Sequence, residues 1–532
     1  MCRSILAVRV GSVRPLLTLV GLLAAGLGLP APTHAAGSPA LRQLAAADPG
    51  RTVDAIVRLD AAHSTADGRA LVRRHGGRLT GDLHIIHGLA ARMTAREAAR
   101  LARDGGVTSV SLDAAVAPQA ISTKDIRTAY PFAAAAPSVW NGSGVVPATG
   151  RGVGVAVVDT GVDGALPDFR VSETDQTSRV IGSAVVNPNA TSAGDRYGHG
   201  THVAGILAGN GNHRAYGDPL DGQYVGVAPE ANLISVKVSS GDGEATVLDV
   251  IYGLQFVVDH KSDYNIRVVN LSLESTDTQS AATDPLDAAA ESAWFAGLVV
   301  VAAAGNRGAA GDAVSHAPGN DPYVISVGAL DDMGTRGRDD DVAASWSSAG
   351  TTQDGFAKPD IYASGSHIVS TLAPDSSFAS LCPTCIVSGG YFRAGGTSMA
   401  APVVAGVAAL MIERRPSLTP NQVKGLIAAY ARQQSGIPVV DAVNVVRNLS
   451  TSPLPSANDG LVPNQLIDPA TGGIDYTKSS WSWSSWSSSP ESLSANWAKS
   501  SWSCNCSMTA TGEIDPTRSS WSRSSWSTSW TK

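Results

Sequence analysis

Residues 152–160 read GVGVAVVDT, and this stretch decides the expected fold. It is rich in valine, is apolar along nearly its whole length, and ends in Asp159-Thr160. A strand buried on both faces of a parallel sheet has this continuous apolar pattern, whereas a half-exposed strand alternates. The pattern returns in NLISVKV (232–238), IRVVNLSL (266–273), LVVVAAAGN (298–306) and YVISVGAL (323–330). The sequence therefore predicts a mainly parallel sheet.

Helical stretches alternate with these strands. In VLDVIYGLQFVVDH (247–260) the apolar residues fall on one stripe, and TSMAAPVVAGVAALMIERR (397–415) and TPNQVKGLIAAYARQ (419–433) behave alike. Strands that alternate with such helices are typical of an α/β domain. We therefore expect an α/β fold with a doubly wound, mainly parallel sheet.

Four polar residues stand where such a sheet carries its function. Functional groups in doubly wound sheets gather at the carboxyl ends of the strands. Asp159 ends the first strand and Asn306 follows the strand at 298–304. His199 and Ser398 stand at the starts of two helices, each with glycines close by.

These residue types suit nucleophilic acyl transfer. A serine hydroxyl is a poor nucleophile until a histidine takes its proton, and a carboxylate must hold that histidine in the right tautomer. A hydrogen-bond donor must face the oxyanion that develops. Ser398, His199, Asp159 and Asn306 can fill these four roles. At a helix start, Ser398 also gains from exposed N–H groups and the helix dipole.

At this point the chain resembles the subtilisin family of secreted serine proteases. The motifs that carry the resemblance occur in family order: VVDTGVD (157–163), GHGTHVAG (198–205), AAAGN (302–306) and GGTSMAAP (395–402). The resemblance implies a secreted serine endopeptidase that works through an acyl-enzyme. It implies Asp159, His199 and Ser398 as the triad and Asn306 as the oxyanion donor. It also implies an N-terminal propeptide that the enzyme removes by cleaving itself.

The resemblance further implies where substrate binds. Family members pair an extended peptide with backbone edges beside the cleft, a form of β-augmentation. The matching positions here are Gly241, Gly243, Ser272, Leu273, Glu274, Ala304 and Gly305. Glu274 departs from the family, which usually has glycine there. We consider two readings: a carboxylate that narrows the primary pocket or favours basic side chains, and a rim residue turned to solvent.

Metal binding receives little support from the sequence. His199 and His202 are three residues apart, and no third ligand follows at metalloprotease spacing, so we expect His202 to make a structural contact. No cofactor is required. Calcium stays open because it is common in the family and Asp168 matches an acidic ligand position. The segment 210–225 is too altered to carry the other ligands over.

Two segments are expected before the catalytic domain, which we place at 121–450. Residues 1–35 read as a signal peptide, with arginines, an apolar run and small residues at its end, and they predict secretion. Residues 36–120 contain a βαββαβ pattern with a capping box at Thr94 and Glu97, typical of a small α+β, ferredoxin-like unit. It resembles the family's propeptide. Residues 117–150 suit an exposed connector that a protease can cut.

Beyond the catalytic domain the composition changes. We expect a linker at 451–470 and a Ser/Trp-rich repeat tail at 471–532. TGGIDYTKSSWSWSSWS from 471 and TGEIDPTRSSWSRSSWS from 511 match at 13 of 17 positions. The tail has three readings: attachment to sugars or cell-wall polymer, a removable segment that aids export, and a low-complexity linker with little structure.

Cysteine usage fits an exported protein. Cys382 and Cys385 form CPTC, and Cys504 and Cys506 form CNC. We prefer a local disulfide between Cys382 and Cys385, in a loop close to the cleft. A zinc site that uses all four cysteines is a weaker alternative because more than a hundred residues separate the pairs.

Composition excludes some functions and leaves a second candidate. The net charge of −7 and the pI near 5.9 argue against nucleic-acid binding. We expect no membrane span after the signal segment. The partners are then protein or peptide substrates and the chain's own propeptide. The alternative is a catalytically silent protein of the same fold that binds or adheres through its tail, and an esterase ranks third because Gly-x-Ser-x-Gly is missing around Ser398.

Overall fold

The computed structural model describes residues 37–83, 86–113, 123, 126–211, 214, 218–468 and 470–473, together with the backbone of 494–495, 506–508 and 514–519. The predicted signal peptide and most of the repeat tail lie outside these residues. The chain divides into two compact units, Met1–Gln119 and Ala120–Lys532.

The first unit is a four-stranded antiparallel sheet with helices. Its elements are α1 (Pro39–Ala47), β1 (Thr52–Leu59), α2 (Thr65–Arg74), β2 (Arg78–Leu83), β3 (Gly88–Thr94), α3 (Ala95–Leu101) and β4 (Val107–Leu112). The strands lie in the order β2-β3-β1-β4. From β1 to β4 the elements follow the expected βαββαβ order, and α1 precedes them. A buried core that includes Val57, Leu89 and Leu101 holds this unit together.

The second unit carries the large sheet. Its helices are α4 (Tyr130–Ala133), α5 (Ala136–Trp140), α6 (His199–Ala208), α7 (Val247–Asp259), α8 (Pro285–Phe295), α9 (Ser377–Leu381), α10 (Thr397–Arg414), α11 (Pro420–Ala429) and α12 (Ala442–Arg447). Its strands are β5 (Gly154–Asp159), β6 (Val180–Val185), β7 (Asn232–Lys237), β8 (Ala245–Thr246), β9 (Ile266–Leu271), β10 (Val299–Ala303), β11 (Ile325–Asp331), β12 (Val342–Ala343), β13 (Gly350–Thr351), β14 (Ala357–Lys358), β15 (Ile361–Ser364), β16 (Ile368–Thr371), β17 (Ile386–Val387), β18 (Tyr391–Ala394), β19 (Arg432–Gln434) and β20 (Ile437–Val439).

The large sheet is doubly wound, as predicted. Its order is β19-β20-β15-β11-β10-β9-β5-β7-β6, and every pair from β20 to β6 is parallel. The chain starts at β5, adds β6 and β7 on one side, and then crosses to β9 on the other. Ligands bind at such a switch point, outside the carboxyl ends of the strands. Asp159 stands there, as the last residue of β5.

The buried strands confirm the apolar pattern, and one edge strand was missed. All residues of β5, β10 and β11 are buried. In β6, half-buried positions alternate with exposed ones, because this strand lies at the edge of the sheet. Such an edge strand lacks the continuous apolar run that identified the others.

The helix α10 passes through the core behind the sheet. Sixteen of its eighteen residues are buried, including Pro402, and it packs against α6, β9, β10 and β11. By length and composition alone this described helix is apolar enough to cross a membrane, although 89% of it is buried inside the fold.

The connector, which we expected to be exposed, and the linker both contain residues that pack within the second unit. In the predicted connector, the Tyr130 hydroxyl donates to Val225 O at 3.1 Å and Trp140 Nε1 donates to Val227 O at 2.8 Å. In the predicted linker 451–470, Asn464 and Ile467 are each 1% exposed. The prediction of exposure for the connector was wrong, because scattered aromatic and aliphatic residues are enough to bury a segment without periodic structure.

Candidate active site

Asp159 and His199 form a buried hydrogen-bonded pair. Both side chains are fully buried. His199 Nδ1 lies 2.8 Å from Asp159 Oδ1 and 3.0 Å from Oδ2. Asp159 Oδ1 also accepts from the N–H of Thr160 at 2.7 Å, which fixes the carboxylate at the end of β5. The sequence-predicted aspartate and histidine are thus brought together from β5 and α6.

The start of α6 holds His199 in place. Gly198 has φ of 106°, and a Cβ there would lie 2.8 Å from Ser376 Oγ and 2.9 Å from Phe378. Only glycine fits this turn without strain. The His199 ring meets Phe378 edge-on, with 6.1 Å between centroids. The histidine therefore has one buried wall and one carboxylate partner that set its orientation.

His202 is the second histidine of the motif, and its contacts are structural. Its Nε2 lies 2.9 Å from the backbone oxygen of Phe392. Burial lowers its pKa to about 3, so the ring is neutral. It joins α6 to β18, and among the described residues no group of three or more His, Cys, Asp or Glu could hold a metal ion.

Sequence reasoning missed Asp195, which holds the turn before α6. Its Oδ1 accepts from the N–H of Gly198 at 2.7 Å and from Thr160 Oγ1 at 2.9 Å. Its Oδ2 accepts from the N–H of Thr201 at 2.8 Å. An acidic residue shortly before a helix is the signal that could have identified it, because carboxylates satisfy the free N–H groups there.

Sequence reasoning also missed Lys237, a buried cation beside these carboxylates. It lies opposite Asp159 in the pairing of β5 with β7 and is 1% exposed. Its Nζ donates to Thr160 O at 2.9 Å and to Gly194 O at 2.7 Å. Burial lowers its pKa. A lysine near the end of an otherwise apolar strand was the available signal, because lysine is rarely buried without a partner.

Ser398 is the second residue of α10 and is 5% exposed. Its Oγ donates to Ser272 O at 3.2 Å, and Ser272 Oγ donates to Ser398 O at 2.7 Å. These reciprocal bonds join the start of α10 to the segment that follows β9. Because α10 packs against α6, the helix that carries the serine and the helix that carries His199 are neighbours.

Asn306 is held against the start of α10. Its Oδ1 accepts from the N–H of Thr397 at 2.9 Å and from Thr397 Oγ1 at 3.2 Å. The N–H of Gly305 donates to Thr397 Oγ1 at 3.1 Å. These bonds fix the amide with its oxygen towards α10. The structure therefore places Asn306 next to the residue that precedes Ser398.

The predicted substrate-binding positions follow three strands at the carboxyl edge of the sheet. Gly241 and Gly243 follow β7, Ser272 and Leu273 follow β9, and Ala304 and Gly305 follow β10. Gly243 has φ of 87° and packs against the Tyr197 ring, so it needs to be glycine. The segments share the edge that carries Asp159 at the end of β5.

Glu274 is buried and paired, which rules out its solvent-facing reading. It is 5% exposed, and its Oε1 lies 3.2 Å from Arg307 Nη2. A Cβ on Gly305 would lie 2.5 Å from Glu274 Oε2. The glutamate thus packs over Gly305, and a counter-charge accompanies it.

The disulfide between Cys382 and Cys385 is present, which confirms that prediction and excludes the four-cysteine zinc site. It follows α9. The N–H groups of Ser377 and Phe378 donate to Arg196 O and Tyr197 O at 2.8 and 3.1 Å. The cysteine-bearing segment therefore contacts the turn that leads into His199.

Comparison with known proteins agrees with this geometry. Residues 150–450 match the Subtilase family, Peptidase_S8. Serine protease AprX of Bacillus subtilis (strain 168) is 42% identical over 284 residues, 52% of this chain and 61% of that protein. Subtilisin E of the same organism is 30% identical over 70% of this chain and 82% of its own length.

Two further proteins are similar to this chain. Subtilisin BL of Lederbergia lenta is 35% identical over 52% of this chain and 82% of its own length. A solved structure, a cold adapted subtilisin-like serine proteinase, is 30% identical, covers 56% of this chain and 90% of that chain, and has a TM-score of 0.41. Because the family match covers more than half of the sequence, this chain belongs to the subtilase family of serine peptidases.

Proposed function

We propose that the chain is a secreted serine endopeptidase with a triad of Asp159, His199 and Ser398, made as a zymogen that processes itself. The observation that carries the proposal is the buried hydrogen bond between Asp159 and His199 Nδ1 at 2.8 Å, beside the helix that begins with Thr397 and Ser398. A histidine held through Nδ1 by a carboxylate presents Nε2 as a base.

The proposed reaction follows from these positions. Ser398 Oγ attacks the scissile carbonyl carbon while His199 Nε2 takes the hydroxyl proton, and the C–O bond of the acyl-enzyme replaces the peptide C–N bond. His199 gives that proton to the leaving amine. Water then attacks the ester by the same route in reverse and releases the acid. Asp159 orients the imidazole and stabilises the imidazolium that forms.

Asn306 is the proposed donor to the oxyanion. Because its Oδ1 accepts from Thr397, its Nδ2 lies on the opposite side of the amide, where it can donate. The N-terminus of α10 adds free N–H groups and a positive dipole at the same place. A preorganised donor of this kind is worth about 10²- to 10³-fold in kcat.

The substrate is proposed to bind as an extended strand between the segments after β7 and β9. Gly241 and Gly243 let the backbones approach, while Ser272, Leu273, Ala304 and Gly305 border the primary pocket. Arg307 compensates the charge of Glu274, so the pair acts as a polar wall of the pocket and does not present a free carboxylate to basic side chains. We therefore keep the hypothesis that Glu274 narrows the primary pocket, and we set aside the hypothesis that it favours basic side chains of the substrate.

The zymogen proposal rests on the division of the chain. The unit 1–119 has its own core and is the proposed propeptide. Residues 126–150 pack into the second unit, so within the connector at 117–150 we place the maturation cut before Ile126. Residues 114–122 and 124–125 lie outside the described part.

A silent binding protein that acts through its Ser/Trp tail is the competing function. Its tail lies largely outside the described residues, and attachment to a cell surface or polysaccharide stays a prediction. No described observation favours it, since the proposed triad and Asn306 are all present at one edge of the sheet.

The deciding experiment compares the wild type with Ser398→Ala by intact-mass analysis of the secreted products and by casein hydrolysis. We expect the wild type to lose residues up to a site before Ile126 and to hydrolyse casein. The variant should keep its propeptide and lose at least about 10³-fold of the activity. If both chains are cut alike and neither hydrolyses casein, the protease proposal fails and the tail becomes the place to look.

A further inference from the structure

Asp168 is a buried carboxylate outside the proposed triad. It lies in the short 3-10 helix Pro167–Phe169 and is 3% exposed. Burial raises its pKa, while the Tyr391 hydroxyl and the Arg214 charge act in the opposite direction. A carboxylate this deep needs donors on both oxygens or a bound cation to remain ionised.

The structure supplies those donors from two distant parts of the chain. Arg214 Nη1 donates to Asp168 Oδ2 at 2.6 Å, and the Tyr391 hydroxyl donates to Oδ1 at 2.6 Å. The Arg214 side chain is 12% exposed, and its Nε lies 2.8 Å from Asp218 Oδ2. Its guanidinium also lies 5.9 Å from the centre of the Tyr391 ring. Both oxygens of the carboxylate are therefore engaged.

This arrangement does not fit calcium. Calcium takes six to eight oxygen ligands at 2.3–2.6 Å. At Asp168 a guanidinium lies where a cation would have to approach Oδ2, and two positive charges in contact repel. In the described part of the chain, Asp168 belongs to no group of three or more His, Cys, Asp or Glu side chains that could hold a metal ion.

We propose that the Arg214 guanidinium takes the place of a metal cation at Asp168, so that this chain does not bind calcium there. Arg214 neutralises the carboxylate in the turn at 167–169 and also donates from Nη1 to the Tyr391 hydroxyl of β18 at 3.1 Å, so it joins these two elements. Tyr391 in turn stacks on Tyr224, with 3.8 Å between ring centroids. Strand β18 runs into Gly395 and the start of α10, so the ion pair braces the strand that delivers Ser398.

The test measures thermal unfolding of the full chain in the Ser398→Ala background. That background prevents self-digestion, and unfolding does not depend on whether the chain is a protease. Samples in EDTA and in millimolar CaCl₂, at equal ionic strength, should differ in Tm by less than about 1 °C, because no differential binding means no shift. Arg214→Ala should lower Tm by roughly 5 °C or more, because a charge is left buried and unpaired.

Arg151→Ala is the matched control, since Arg151 binds both oxygens of Glu230 but is 64% exposed. It should shift Tm far less than Arg214→Ala does. Equal shifts would overturn the proposal that the ion pair between Arg214 and Asp168 stabilises β18. If Arg214→Ala fails to fold, the Tm of Arg214→Lys and the calcium titration still test the proposal. A calcium-dependent rise in Tm that Asp168→Asn abolishes would overturn the proposal, whereas a rise that survives Asp168→Asn places calcium elsewhere and supports it.

Discussion

At the carboxyl end of β5, every oxygen of Asp159 and Asp195 accepts a hydrogen bond, whereas in α8 neither oxygen of the buried Asp287 has a hydrogen-bond partner in the structure. Both groups lie in the same domain and are equally inaccessible to solvent. The group at β5 is surrounded by N–H and O–H donors. The group in α8 is surrounded by other acids.

The consequence appears in the pKa values around α8. Burial, followed by the neighbouring Asp321, raises the pKa of Glu291 to about 10, and burial raises that of Asp287 well above its ordinary value. The nearby cations do not compensate, because Lys358 and Lys424 both bind Asp360, at 2.8 and 3.1 Å. Burial and the neighbouring acids therefore favour the protonated form of Asp287 and Glu291. Burial of a carboxylate is therefore a poor guide to function unless its donors are counted.

The largest expected effect separates the two groups by activity. Asp159→Asn should lower kcat about 10⁴-fold, because an amide cannot hold His199 in the right tautomer. Asp287→Asn, a neutral side chain in place of a protonated one, should leave kcat within about threefold. Kinetics on one peptide substrate check both variants. Comparable losses of kcat would remove the functional distinction between the two groups.

Substitution of Asp195 should cause a smaller loss of kcat. Asp195 binds the turn before His199 and acts as a positioning residue. Asp195→Asn replaces one acceptor oxygen by a donor that faces an N–H, so the start of α6 must shift. Misplacement by about 1 Å costs up to roughly 10²-fold, and we expect a 10- to 100-fold loss of kcat with KM within about twofold. Steady-state kinetics, with the concentration of active sites measured by titration, separate this loss of kcat from a loss of folded protein. An unchanged kcat would reduce Asp195 to a purely structural cap.

The smallest effect concerns stability against pH. Because Glu291 has a higher pKa folded than its ordinary 4.5, the native state holds an extra proton between about pH 4.5 and 10. The stability that this gives is complete below pH 4.5 and is lost as the pH rises through that window. Glu291→Gln keeps a donor and an acceptor without titrating. At pH 9 it should exceed the Ser398→Ala parent in unfolding free energy by at least about 1.4 kcal/mol.

Denaturant titrations at several pH values check the Glu291 prediction in the Ser398→Ala background. Glu244→Gln is the control, because Glu244 is exposed and its substitution should leave the slope of stability against pH unchanged. Parallel pH profiles for Glu291→Gln and its parent would show that the acids of α8 are ionised in the native protein.

The sequence predicted the central sheet because its strands are apolar throughout, and β5, β7, β9, β10 and β11 lie where that pattern put them. It also predicted the polar residues at their ends. Asp195 and Arg214 were missed because their side chains bind backbone N–H groups or residues distant in the chain. The spacing of apolar residues along the sequence carries no information about such contacts. The burial of 126–150 and 451–468 was missed for a similar reason: their few apolar residues fit surfaces that exist only in the folded domain.

The described residues 451–468 and 470–473 fasten the end of the second unit to α8 and to the segment before it. Asn464 donates to Ala281 O and Asp284 O at 2.6 and 2.8 Å, and Gly472 lies against Phe295, the last residue of α8. A helix that follows β9 and precedes β10 ends beside the amino ends of the strands. Asn464 and Gly472 thus anchor this part of the chain on the side of the sheet opposite Asp159, so these contacts can stabilise α8 without touching the proposed cleft.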